Sequence, residues 1–373
     1  MYQDLMGKTD GYRFGTSNSA VSGWGYSRYG ANVGWSTSHK QDLGIDLKFF
    51  NDDLSVTVDL FKEHRKDIFL QRKTIPDYSG FIEMPYGNLG IVDNKGIEAT
   101  MEYSKQIGEK TFLTLRGNFA WNEDKIVEDD SPAATYPWME TRGTNVNGRW
   151  GWIAEGLFTS EADILDHAKQ FGETYPGQVS QVGDIKYKDL NGDGVVDDYD
   201  KCLIGQGDVP KIYYGFGADL QYGDFSVGVL FSGTAKADRC LSGDAINPFA
   251  DTSGYTNLYS NITDRWSAEN PTDENVFYPR LHYGADANQK NTKTSTWWQH
   301  DMSFLRLKQM TIAYNLPKRF LDKTFLKSAR IYVMGTNLLT FSKFKLWDPE
   351  LNTNNGTSYP NNRTYSVGVN VSF

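Results

Sequence analysis

The last ten residues, Thr364–Phe373, read T-Y-S-V-G-V-N-V-S-F. Tyr365, Val367, Val369, Val371 and Phe373 fall on one face of an extended chain, and Thr364, Ser366, Gly368, Asn370 and Ser372 fall on the other. Strict period two marks a β-strand with one apolar and one polar face. A soluble sandwich strand alternates in the same way, so the decision rests on what lies upstream. Several earlier segments share the pattern, and the joins between them alternate short and long. That combination predicts an all-β, antiparallel transmembrane barrel, with polar residues toward the lumen and apolar ones toward lipid.

Working outward from the terminus, four more pairs of strands can be read. Ser303–Leu316 and Ala329–Phe341 are joined by P-K-R-F-L-D-K-T-F-L-K at 317–327. The first arm changes phase between Leu305/Leu307 and Met310/Ile312/Tyr314, which predicts a bulge near Lys308–Gln309. Lys211–Tyr222 turns at Gly223-Asp224 into Phe225–Gly233. Lys95–Tyr103 and Thr111–Trp121 meet around 106–110, and Gly44–Phe50 and Leu54–Phe61 meet at Asn51-Asp52-Asp53, a sequence suited to a tight turn. The joins at 51–53, 106–110, 223–224 and 317–327 are short. Those at about 66–93, 127–208, 237–297 and 342–362 are long. Short turns belong on the periplasmic side and long loops outside. The extended stretch W-G-W-I-A-E-G-L-F at 150–158 is then loop rather than wall, and Glu161–Gln170 (capped by Ser160) and Ile262–Glu269 are short helices within long loops. Residues 1–32, rich in Gly, Ser, Tyr and Asn, read as a loop remnant; the barrel part is 33–373. About nine strands result. An odd number leaves two open edges in lipid, so the chain is expected to be the carboxyl-terminal portion of a larger barrel, with the rest encoded upstream.

Composition narrows the function classes. The chain carries 38 basic and 47 acidic residues, a net charge of −9, which argues against a nucleic-acid partner. No run approaches the roughly 20 apolar residues of a spanning helix. Aromatics make up 14% of the chain, and its 36 glycines suit girdled, glycine-punctuated strands. The start, Met-Tyr-Gln-Asp, shows no basic and apolar leader. His39, His64, His167, His282 and His300 lack metal-ligand spacing, and the carboxylates show no catalytic arrangement, so no enzyme is predicted.

The sharpest local motif is D-L-N-G-D-G-V-V-D-D-Y-D at 189–200. Asp189, Asn191, Asp193, the Val195 carbonyl, Asp197 and Asp200 occupy the donor positions of a twelve-residue calcium loop, with Gly194 at the sharp turn. Six or more hard oxygens suit Ca2+. No pair of helices frames the loop, so the expected role is a structural clip; the other reading is an Asx/Gly turn without metal. The only cysteines, Cys202 and Cys240, flank the 211–233 hairpin within a few residues of register. A disulfide and two free thiols are both open. Trp138, Trp150, Trp152, Trp297 and Trp298 sit in or beside the long loops, where they would contact substrate or a lid, or simply pack.

Taken together, the stretches W-S-T-S-H-K-Q-D-L-G-I-D-L-K-F-F-N-D-D-L (35–54), G-N-L-G-I-V-D-N-K-G-I-E (87–98), G-D-I-K-Y-K-D-L-N-G-D-G-V-V-D-D-Y-D (183–200), I-G-Q-G-D-V-P-K-I-Y-Y-G-F-G (204–217), S-F-L-R-L-K-Q-M-T-I-A-Y-N-L-P (303–317) and R-I-Y-V-M-G-T-N-L-L-T-F-S-K-F (330–344) have a familiar order. The chain resembles the carboxyl-terminal part of the SusC/RagA-type TonB-dependent outer-membrane transporters of Bacteroidetes. That resemblance implies a barrel of about 22 strands around a plug. It also implies TonB-driven uptake of oligosaccharides or peptides, and a SusD-like surface lipoprotein as lid. Neither a plug nor a TonB-contacting segment is recognisable in the sequence. The terminal Phe373 looks like the aromatic end that outer-membrane assembly machinery recognises. Two other readings compete: a secreted soluble β-sandwich binding carbohydrate beside a calcium-stabilised loop, and a glycan hydrolase.

Overall fold

The computed structural model describes every residue except 1–2, 14–19, 80, 82, 173–178, 244, 249–257, 283–289 and 323. Along the chain come β1 (Leu5–Arg13), β2 (Ala20–Arg28), β3 (Thr37–Phe49), β4 (Leu54–Gln71), β5 (Tyr86–Ile107) and β6 (Thr111–Glu128). Six short strands follow: β7 (Arg149–Gly151), β8 (Ala154–Leu157), β9 (Lys169–Gln170), β10 (Ile185–Tyr187), β11 (Val195–Val196) and β12 (Cys202–Gly205). The rest are β13 (Ile212–Tyr222), β14 (Phe225–Ala235), β15 (Asp238–Cys240), β16 (Gln299–Asp301), β17 (Phe304–Asn315), β18 (Ser328–Ser342) and β19 (Thr364–Ser372). Nine of these form one sheet in the order β19-β18-β17-β14-β13-β6-β5-β4-β3. They are the nine strands read from the pattern.

The ladders carry the fold argument. Leu113, Leu220, Val227, Ile312, Val333 and Val367 pair successively across β6, β13, β14, β17, β18 and β19. Leu220, Val227, Ile312, Val333 and Val367 are all exposed. One residue over, Thr114, Asp219, Gly228, Thr311, Met334 and Ser366 form the matching row on the other face. An apolar row left uncovered over five of these six strands is what lipid stabilises and water does not. The soluble sandwich would have buried it. Adjacent residues Leu230 and Phe231 of β14 lie opposite Gln309 and Leu307 of β17, which leaves Lys308 as the extra, bulged residue. That bulge lets Leu307 and Met310 both join the apolar face. Glycines serve close packing here: Gly368 lies opposite Tyr332, and a Cβ at 368 would stand 2.3 Å from the phenol ring.

Three expectations change. Residues 1–32 are not simply loop, because β1 and β2 form an antiparallel hairpin. In β2 the alternation is aromatic against glycine (Trp24 and Tyr26 against Gly23 and Gly25), so it carries almost no hydropathy contrast. The long join at 66–93 shrinks to 72–85, because β4 and β5 continue through polar residues on both faces. The helix at 262–269 is only a 3-10 turn, Ser260–Thr263. Beyond it Trp266 N–H donates to the Tyr278 carbonyl and Tyr278 N–H to the Asp264 carbonyl, which pulls the chain extended. The other helix, α1, covers Glu161–Asp166, and its Ser160 cap accepts from Asp163 N–H. It stops where β9 begins to pair with β11.

Two compact units divide the chain. The first comprises residues 1–42, 61–96 and 123–146. In it Lys73 Nζ meets Asp129 at 2.8 Å, and Asp130 accepts from the backbone of Lys73 and Thr74, tying the loop after β4 to the end of β6. The second unit comprises 43–60, 97–122 and 147–373. It holds both the wall rows above and a separate hydrophobic core built from loop residues, including Trp152, Leu157, Ile185, Tyr187, Val196, Cys240, Tyr278, Trp298 and Phe344.

Candidate functional site in the loop core

The loop core is pinned by buried charge. Asp184 is 3% exposed, and Arg280 grips it twice, Nε to Oδ1 and Nη2 to Oδ2, each at 3.0 Å. His282 Nε2 lies 3.2 Å from Oδ1, and Asn291 Nδ2 donates to the same oxygen at 2.9 Å. Burial alone would raise the Asp184 pKa, but the hydrogen bonds from His282 and Arg280 outweigh it and hold the carboxyl below its ordinary value. Beside it, Gly183 adopts φ +90°, and a Cβ there would strike the Trp266 ring at 2.3 Å. The G-D of 183–184 is thus a packing signature. A second pin forms at Asp238, which accepts from Arg149 Nε at 2.9 Å and from the backbone N–H groups of Gln206 and Gly207.

The predicted tryptophans divide by burial. Trp152 and Trp298 are in the core, with indole N–H groups donated to the carbonyls of Asp197 and Asn291. Of the two readings left open for them, substrate or lid contact and packing, their burial fits packing. Trp150 is half-buried and lies opposite Leu203 in the β7–β12 pair. Trp138, in the first unit, stacks on Tyr136 with centroids 4.8 Å apart. Trp297 lines a cavity. A concavity of about 300 Å3 is lined by Trp297, Phe277, Val276, Glu274 and His300 among others. Phe277 and His300 stack at 17°, and Trp297 Nε1 is fixed by the Phe277 carbonyl at 3.2 Å. Glu274 is oriented by Leu157 N–H, which donates to its Oε1 at 3.0 Å. Burial pushes the His300 pKa down, so its imidazole is neutral at pH 7. Two ring faces, a carboxylate and a neutral imidazole can hold a ligand with both apolar faces and hydroxyl edges. Glu274 and His300 escaped the sequence reading. Glu274 sits in an undistinguished polar loop, and the only signal for His300 is its place after the Trp297-Trp298 pair.

The wall offers a second concavity, about 640 Å3, on its polar face. Arg116 and Asp219 form an ion pair there, and Arg330 Nη2 reaches Ser226 Oγ at 3.4 Å.

The calcium-type loop is tightly wound. Asp189 accepts from Gly192 and Gly194 N–H, Asn191 Oδ1 from Asp193 N–H, Asp193 Oδ1 from Val195 N–H, and Asp197 Oδ1 from Tyr199 N–H. Asp200 is wholly buried, and the hydrogen bonds recorded to it all come from backbone N–H groups, those of Leu190, Asn191 and Asp197. The donor set is all hard oxygen, the class calcium takes. Its carboxylates do not form a ready cage, because among the described residues no three His, Cys, Asp or Glu side chains gather as a metal set.

Cys202 and Cys240 are buried free thiols. Cys202 lies opposite Gly151, and Cys240 lies opposite Gln299 with its Sγ 3.9 Å from the Ser295 carbonyl. Burial pushes both pKa values up, as for inert packing thiols.

Comparison with known proteins agrees with this architecture. The family profile described as "TonB dependent receptor-like, beta-barrel" matches residues 9–338. TonB-dependent receptor P3 of Formosa agariphila is 29% identical over 370 residues, covering 92% of this chain and 34% of that receptor. TonB-dependent receptor SusC of Bacteroides thetaiotaomicron is 24% identical, covering 92% of this chain and 33% of its own length. The solved RagAB peptide transporter superposes with a TM-score of 0.71 at 20% identity, covering all of this chain and 39% of the matched one. This chain therefore spans about a third of the curated receptors it matches. Its uncovered apolar rows, its nine-strand ladder and these matches together place it in the outer membrane, as a member of the TonB-dependent receptor β-barrel family.

Proposed function

We propose that this chain is the wall-and-loop part of an importer for glycans. In this reading it acts with the plug and remaining strands of a full receptor, with the TonB complex, and with a SusD-like lipoprotein over the mouth. Its long joins, 127–208 among them, face outward, and Phe373 is read by the assembly machinery. The observation that supports a glycan is the concavity at Trp297, whose lining combines the rings of Trp297 and Phe277 with Glu274 and a neutral His300. Sugars present an apolar ring face and polar edges, and they meet such a lining better than an extended peptide backbone does. The structural neighbour named a peptide importer makes peptide the competing cargo for the test. The full-length receptor would be titrated with an oligosaccharide panel and a peptide library. Glycan binding is expected, with affinity lowered about tenfold or more by Trp297→Ala, in line with loss of one buried aromatic contact. Binding of peptides alone, or glycan binding indifferent to Trp297→Ala, contradicts the reading.

We also propose that the 189–200 loop takes Ca2+ as a structural clip, through Asp189, Asn191, Asp193, the Val195 carbonyl, Asp197 and Asp200. What supports it is the set of hard oxygen donors at the calcium-loop spacing, wound into a turn in which Asp189 accepts from Gly192 and Gly194 N–H.

A further inference from the structure

The join between β17 and β18 differs in chemistry from the rest of the chain. Against a net charge of −9, residues 317–327 carry Lys318, Arg319, Lys323 and Lys327 with the single acid Asp322. Lys318, Arg319 and Lys327 are exposed. A one-turn helix, α2 (Lys318–Leu321), is seated by the buried Leu321. Its neighbour Phe320 stays exposed, with the Arg319 guanidinium 4.8 Å from its ring centre. Phe325, 79% exposed, lies flat against Phe373, with centroids 5.5 Å apart and planes 6° apart. The turn is fixed to β19 by Lys327 N–H, which donates to the Ser372 carbonyl at 2.7 Å, and by the Ser328–Ser372 hydroxyl pair.

Position follows from register. Phe373 continues the exposed row of Tyr365, Val367, Val369 and Val371, the row that faces lipid. A ring stacked on Phe373 must lie on the same side. Short turns of such barrels face the periplasm. Exposed rings with cations around them therefore stand where the lipid-facing surface meets periplasmic water, the level at which aromatic side chains concentrate.

We propose that the described residues of this turn, 317–322 and 324–327, form with Phe373 a headgroup clamp for anionic phospholipid of the periplasmic leaflet. Phe320, Phe325 and Phe373 seat at the headgroup level, and Lys318, Arg319 and Lys327 pair with lipid phosphate. Charge complementarity selects this occupant, because a basic cluster on an acidic chain attracts an anionic surface at about 1 kcal/mol per cation, or about fivefold.

The test uses the full-length receptor in bilayers of phosphatidylethanolamine with or without phosphatidylglycerol, reading the lipids that remain bound by native mass spectrometry. Wild type is expected to retain phosphatidylglycerol preferentially, and salt should screen that preference. The Lys318→Gln/Arg319→Gln/Lys327→Gln variant should lose it by about fivefold per cation. Phe325→Ala should weaken retention of both lipids alike. Heat-modifiable gel mobility reports whether each variant has folded. Equal retention of both lipids by wild type overturns the proposal, as does a preference that survives high salt. Those two readings need no variant. A folded charge variant with wild-type preference also overturns it. So does one that keeps the lipid but accumulates unassembled in cells, which would assign the turn to the assembly machinery instead.

Discussion

Asp184 is a carboxylate that the loop core cannot bury without its partners. Arg280 satisfies both oxygens, and Asn291 joins the same cluster to the Ile185 N–H through its own Oδ1. Breaking such a pair leaves an uncompensated buried charge and costs about 3–5 kcal/mol. Asp184→Asn is expected to speed hydrogen exchange across 181–187 and to open the loop to protease, leaving the wall strands protected. The pH dependence has a definite sign. Because the folded pKa lies below the unfolded one, the contribution is present above the ordinary carboxylate pKa and is lost as pH falls through the depressed value. The protection of loop amides in wild type, with exchange corrected for its intrinsic pH dependence, should therefore fall on acidification below about pH 4, the ordinary aspartate range, and the variant should show little of that loss. Unchanged exchange in Asp184→Asn would mean that the loop is held elsewhere. At this scale the sequence was a partial guide. The G-D pair at 183–184 was visible as the start of the 183–200 stretch that carries the family resemblance, but Arg280 lies 96 residues away and no local signal links the two. The tryptophans were visible too, but whether an indole enters a core or lines a cavity is decided by tertiary packing. Trp152 and Trp298 entered the core, and Trp297 lines a cavity.

At the scale of elements, period two and turn chemistry carried most of the wall. Lys308 could be placed in advance because one extra residue inverts every side chain beyond it, and the β17 hydropathy recorded that inversion. The β1–β2 hairpin could not be placed, because glycine facing aromatic residues leaves no apolar contrast to count. The calcium-type loop is the element whose ligand is still to be measured. Its residues were legible as a twelve-position pattern, and its backbone hydrogen bonds show the turn such loops adopt. Adding Ca2+ to chelator-treated receptor is expected to slow exchange around 189–200. Asp193→Ala should abolish that response while changing the calcium-free state little, because Asp193 is exposed and lies outside the core. An identical response in the variant, or none in wild type, would leave the loop as an Asx/Gly turn held by its own hydrogen bonds.

For the whole molecule, the central claim is that the ladder from β6 to β19 presents one face to lipid and the other to a lumen. Leu113 to Val367 form one row and Thr114 to Ser366 the other. Long-range fold and localisation were accessible from sequence because a barrel repeats the same simple pattern strand after strand, whereas the loop core has no repeat and could not be assembled from spacing. The most direct measurement is spin-label accessibility along β19 in the full-length receptor in bilayers, one label at a time at positions 366, 367, 369, 370 and 371, leaving Gly368 in place because a side chain there would strike Tyr332. A period of two is expected: positions 367, 369 and 371 relaxed by dissolved oxygen from the lipid phase, and 366 and 370 by a water-soluble nickel chelate. Labels accessible to the aqueous reagent at every position, or an accessibility without period two, would contradict it.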